Sequence, residues 1–98
     1  MRILIVIPAL NEASIIAGTV AAVRAALVRD FPEDDAHLLV VDNGSSDGTA
    51  EAAESACRDT DGVSVLRLDE RGKGLAIREG WNSADADAYV FMDADLAT

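Results

Sequence analysis

Ninety-eight residues make one domain at most, and half of them are hydrophobic, which is enough for a real core and too many for a disordered tail. Eighteen acidic residues against eight basic give a net charge of −10, a balance that argues against unaided binding to nucleic acid or to an anionic membrane. A single cysteine, Cys57, rules out an internal disulfide and makes a reducing compartment the default.

The chain opens on Arg2 to Ile7, an apolar run rich in β-branched residues of the kind covered on both faces of a sheet, with Pro8 expected to end it. The run is too short for the apolar core of a signal peptide, and no stretch approaches the roughly 18 apolar residues of a membrane span. Asn11 and Ser14 are positioned to cap a helix whose Ile16, Val20, Val23 and Leu27 recur at helical spacing. Phe31-Pro32 stops that helix before the acidic loop Glu33-Asp34-Asp35, and Leu38 to Val41 reads as a second strand. His37, at its start, reads as a structural or surface residue.

Strand two breaks into Asp42-Asn43-Gly44-Ser45-Ser46-Asp47-Gly48, where nearly every residue favours a turn or a cap. Gly44 and Gly48 let this loop bend sharply beside a ligand. Asp42, at the strand end, can accept from a base N–H or a ribose hydroxyl, whereas Asp47 is placed to cap the next helix. Thr49 to Arg58 is alanine-rich and suited to close packing, with Cys57 as a small packed residue. Val63 to Leu68 is a third strand. The loop Arg71-Gly72-Lys73-Gly74 then opens a third helix, with Ile77, Trp81 and Ala84 expected on one core face. Two cations at a glycine-bracketed helix start suit phosphate, or form a solvated surface loop. Their spacing is not that of a Walker loop. Glu12 either reaches a nucleotide or simply favours the positive end of helix one.

Tyr89 to Met92 is the fourth strand, and it runs into Asp93-Ala94-Asp95, a DxD arrangement. With period-two alternation the two carboxylates project to the same side of the strand end, where they either suit a divalent cation carrying phosphate oxygens or form a solvated strand end. Asp85 and Asp87 show the same spacing but belong to a solvated loop.

Strands alternating with helices imply right-handed crossovers and a Rossmann-like open parallel α/β sheet with helices on both faces. The expected strand order is 3-2-1-4, which puts the topological switch between strands 1 and 4 and gathers the turns after strands 1, 2 and 4 at one crevice. Strand 4 is then an apolar edge without protective charges or proline, so the 98-residue chain is expected to be marginal or to self-associate through it.

Together the segments Ile5 to Glu12, Val41 to Thr49, Arg71 to Gly80 and Met92 to Leu96 resemble family-2 glycosyltransferases of the GT-A fold. The resemblance spans essentially all of residues 1–98 but only the amino-terminal, nucleotide-sugar-binding half of that catalytic domain. It implies transfer of a sugar from a UDP- or GDP-linked donor to an acceptor, with Mg2+ or Mn2+ as cofactor. Pro8, Asn11, Glu12 and Asp42 would line the nucleoside pocket. Asp93 and Asp95 would engage ribose and the metal, and Arg71 and Lys73 would make polar or phosphate contacts.

The glycine-bracketed Lys73 and the Asp-Ala-Asp-Leu ending are especially similar to polyprenyl-phosphate sugar transferases. This points to a polyprenyl phosphate acceptor and to the cytoplasm, at the cytoplasmic face of a membrane in a full-length parent. Two departures stand out. Ala97 occupies a position where many mannose-type enzymes carry glutamine, which weakens a mannose assignment and leaves glucose-type or soluble-acceptor enzymes open, and Asn43 replaces the second aspartate of the usual Asp-Asp-Gly-Ser block. A general base and the acceptor elements are expected beyond Thr98, so the 98 residues are expected to bind donor weakly and to lack catalysis by themselves. Two other readings are a sugar-phosphate nucleotidyltransferase, which would ordinarily show a glycine-rich basic loop where this chain has Pro8 to Asn11, and a non-catalytic module assembling through strand 4.

Overall fold

The structure, a computed structural model, describes residues 1–32, 35–58, 62–70 and 72–94. Four parallel strands, β1 (Arg2–Ala9), β2 (Asp35–Asn43), β3 (Val63–Leu68) and β4 (Ala88–Phe91), are ordered β3-β2-β1-β4, as the sequence predicts. Three helices alternate with them: α1 (Ile16–Asp30), α2 (Thr49–Cys57) and α3 (Lys73–Asn82).

Register follows from burial on both faces. In the central strand β1, every residue from Ile3 to Ala9 is buried. Ile3, Ile5, Ile7 and Ala9 face one way, onto Val20, Val23 and Leu27 of α1 and Ala53 of α2. Leu4 and Val6 face the other way and meet Ala76 of α3 with Leu39 and Val41 of β2. A one-residue slip would exchange these two layers, so the pairings Ile5 with Leu38 and Ile5 with Val90 are strongly specified.

Several element ends differ from expectation. β1 continues through Pro8 to Ala9, paired with Val41 and Asp42 of β2. β2 starts at Asp35, whose N–H donates to the Met1 carbonyl and whose carboxylate pairs with Arg2. Glu33 and Asp34 of the expected acidic loop lie outside the described residues. α1 begins at Ile16 after an Ile15 cap that has no side-chain hydrogen bond, so neither Asn11 nor Ser14 caps it. The carboxamide of Asn11 is engaged across the molecule, as described below. At its other end α1 stops as expected, with the Phe31 N–H donating to the Leu27 carbonyl ahead of Pro32.

α3 also packs differently. Ala84 falls beyond its end, and the residues buried against the sheet are Ala76 and Gly80. Ile77 and Trp81 are half-buried; Trp81 packs against the Leu4 and Val6 layer, as expected, and its indole N–H donates to the Val90 carbonyl at 3.3 Å. Small residues at positions 76 and 80 let the helix axis approach the strands closely.

Candidate functional site

The carboxyl ends of β1, β2 and β4 meet at an open cleft of about 310 Å³ lined by Pro8, Ala9, Leu10, Glu12, Asn43, Asp93 and Ala94. It lies at the switch between β1 and β4, where an open parallel sheet leaves a crevice because its crossovers depart in opposite directions. Of the sequence-expected residues, Pro8, Glu12 and Asp93 come together here. Asp93 follows β4 directly, and the Thr19 hydroxyl of α1 holds the next residue by donating to the Ala94 carbonyl at 2.7 Å.

Asp42 stands one residue back from the cleft lining. It is buried, and its Oδ1 accepts from the Ser45 N–H at 3.2 Å, which shapes the loop rather than facing the opening. Asn43 takes the lining position instead. The residue is 4% exposed, and among the described residues its Oδ1 has no hydrogen-bond partner. A buried carbonyl oxygen left unpaired costs about 1–3 kcal/mol. Sequence reasoning passed over Asn43 as a substituted aspartate. The sequence reading ended strand two at Val41, whereas β2 runs on to Asn43 and so carries that residue to the cleft.

Asn11 does not line the cleft; it joins the two loops that frame it. Its backbone, at φ +53°, is in the left-handed region. Its N–H donates to Ser45 Oγ at 2.9 Å, and its Oδ1 accepts from the Ser46 N–H at 3.0 Å. Beside it, the Glu12 N–H donates to Thr49 Oγ1 at 2.9 Å, and the Ala13 N–H donates to Asp47 Oδ2 at 3.2 Å. Asp47 Oδ1 accepts from both the Thr49 N–H and the Thr49 hydroxyl, which gives the helix start the acceptor that the sequence predicts. The Thr49 hydroxyl, with the Ala13 and Thr49 amides, holds the Asp47 carboxyl below its ordinary range against the opposing effect of burial.

Lys73 is the first residue of α3, after Gly72 at φ +144°. Arg71 and Asp95 lie outside the described residues. Among the described residues no three His, Cys, Asp or Glu side chains converge in a metal-ligating group. Elsewhere, burial followed by the neighbouring Glu54 charge pushes the Cys57 thiol upward, which suits a packed residue and not a nucleophile.

A parallel 3-2-1-4 sheet with carboxylates and a buried amide at its switch point defines an open α/β protein with a polar cleft at the carboxyl ends of its strands. The particular family follows from comparison: residues 4–98 match Glycosyl transferase family 2, and the chain belongs to that family. The glycosyltransferase AglD of Haloferax volcanii is 32% identical over all of this chain, which spans 16% of that protein. An undecaprenyl-phosphate 4-deoxy-4-formamido-L-arabinose transferase of Proteus mirabilis is 36% identical over 65% of this chain and 20% of its own length. The mannosyltransferase PcManGT of Pyrobaculum calidifontis, solved in complex with GDP-Man and Mn2+, superposes with a TM-score of 0.84 at 28% identity over 96% of this chain and 27% of its own. The GT-A fold expected from the sequence is thereby established, and this chain spans less than a third of these three proteins.

Proposed function

We propose that this chain is the donor-binding part of a metal-dependent glycosyltransferase that takes a UDP- or GDP-linked sugar. The observation that carries the reading is the meeting of Glu12, Asn43 and Asp93 at one switch-point cleft. Family membership favours glycosyl transfer over nucleotidyl transfer, and PcManGT was crystallised with a nucleotide-sugar and Mn2+.

The cleft chemistry fits a hard cation. Two carboxylates line a site meant for a diphosphate, an arrangement that repels the ligand unless a positive ion stands between them. Small divalent ions are commonly held by one or two carboxylates, with substrate phosphates and water completing the shell. Asp93 and Asp95 would hold Mg2+ or Mn2+ in this way, and the ion would neutralise the departing diphosphate. Pro8 and Glu12 would border the nucleoside, with Asn11 and Asp42 supporting the loops around it. Asn43 would accept from a base N–H or ribose hydroxyl, and Arg71 and Lys73 would serve the phosphates.

The Proteus mirabilis relative's undecaprenyl-phosphate name supports a polyprenyl phosphate acceptor, and with it a place at the cytoplasmic face of a membrane. No helix among the described residues is long and apolar enough to cross a membrane. The test is calorimetric titration of UDP and GDP into the protein with Mn2+, with EDTA, and after Asp93→Ala. Binding should require metal and weaken at least about tenfold in the variant, roughly 1.4 kcal/mol. Nucleotide binding indifferent to both metal and Asp93, or no binding at all, would overturn the reading.

A further inference from the structure

We infer that Asp47 is a positioning residue for the cleft: acting through Thr49, it fixes the Glu12 segment of the β1 loop above the site without itself touching ligand. The inference rests on the donor-nucleotide reading of the cleft and adds to it the device that holds the two lips in register.

Ordinary helix capping would use one carboxylate oxygen. Here Oδ1 serves the start of α2, while Oδ2 reaches 34 residues back along the chain to the Ala13 N–H. The second link is Thr49, which is fully buried. Its hydroxyl has one proton to give and must also accept from the Glu12 N–H at 2.9 Å. A carboxylate can only accept, so Asp47 takes that proton and leaves the oxygen lone pairs turned to Glu12. The orientation of a buried hydroxyl is thus set by a charge outside the cleft lining, and the hydroxyl sets the backbone of a residue inside it.

This makes the geometry of Glu12 depend on Asp47 even though α1 and α2 gain their packing elsewhere. Thr49→Val keeps the side-chain shape but leaves the Glu12 N–H without its acceptor, and Thr49→Ser keeps the hydroxyl. Asp47→Ala removes both acceptors at once.

Hydrogen exchange of the wild-type protein and these three variants, together with titration of UDP and GDP in Mn2+, tests the inference. Asp47→Ala and Thr49→Val should speed exchange at the Glu12 and Ala13 amides about tenfold or more while β1 and β2 remain protected. The same two variants should weaken nucleotide binding by about fivefold or more, with Thr49→Ser restoring both readouts. Faster exchange with unchanged affinity would reduce Asp47 to a helix cap and overturn the inference. Loss of protection throughout β1 and β2, or a Thr49→Ser as impaired as Thr49→Val, would overturn it too. Wild-type protein that binds neither nucleotide would overturn the donor reading, and the positioning role with it, whatever the exchange pattern shows.

Discussion

Gly80 shows how little room separates α3 from the sheet. A Cβ there would stand 2.8 Å from Val6 Cγ2 and 3.1 Å from Val41 Cγ2. Val6 and Val41 are both fully buried, so neither can step aside without disturbing a central strand. Gly80→Ala should therefore push α3 outward and cost about 1–2 kcal/mol net, overpacking exceeding the gain in helix propensity. At this chain length that corresponds to a loss of roughly 4–8 °C in Tm per kcal/mol. Gly18, with nothing within 4 Å of an added Cβ, is the control, and Gly18→Ala should hold or raise Tm. Thermal melts of the two variants decide between close packing and a general intolerance of alanine. Asp47 offers a residue-scale test of another kind. Its carboxyl titrates below the ordinary value of 3.8 because its anion accepts from the Thr49 hydroxyl and the amides of Thr49 and Ala13. A lowered native value means that the stabilisation is in place above 3.8 and is lost as pH falls through the native value. The stability difference between wild type and Asp47→Asn should thus be flat near neutrality and shrink only in acid, as denaturant midpoints across pH would show.

At the scale of elements, the segment after β4 depends on α1. Thr19, 1% exposed, gives its hydroxyl proton to the Ala94 carbonyl, and this bond ties down the residue that follows Asp93. Thr19→Val preserves the shape and strands that carbonyl, at about 1–3 kcal/mol. Urea midpoints should fall accordingly, and metal-dependent nucleotide affinity should fall further than Ser or Ala changes on the exposed face of α1 produce. The strands and their order were legible in the sequence because burial on both faces leaves continuous apolar runs, and right-handed crossovers restrict the topology. The loop contacts were less legible. Asn11 and Ser14 have the chemistry of caps, yet the Asn11 carboxamide bonds to a loop 35 residues away, a pairing no local pattern encodes. Likewise, choosing between Asp42 and Asn43 required knowing where β2 ends. Only its last residue reaches the cleft, while Asp42 turns back to Ser45. The α3 stripe was legible in part: Trp81 packs against the second core layer, but the closest approach, to Val6, admits only the small residues Ala76 and Gly80.

For the molecule as a whole, two forces on association oppose one another. The β4 edge leaves Tyr89, Val90 and Phe91 each more than 40% exposed, and an apolar groove of about 410 Å³ lined by Val23, Leu27, Phe31 and Met92 opens beside it. An unprotected apolar edge of this kind favours pairing with another strand. Against it stands a net charge of −10 on 98 residues, which keeps copies apart at low ionic strength. Salt screens that repulsion over a distance of about 10 Å at 0.1 M without weakening apolar contact. The 98-residue chain should therefore show a weight-average mass that rises with concentration, and rises more steeply as salt is added, the reverse of an assembly held by ion pairs. Val90→Lys places a charge on the exposed edge opposite Ile5 while keeping the backbone carbonyl that Trp81 engages. It should return the chain to monomer at all salt concentrations with little change in Tm. Sedimentation equilibrium over a range of concentrations and salts measures this directly, and a wild-type chain that stays monomeric throughout would show that β4 is not an association surface.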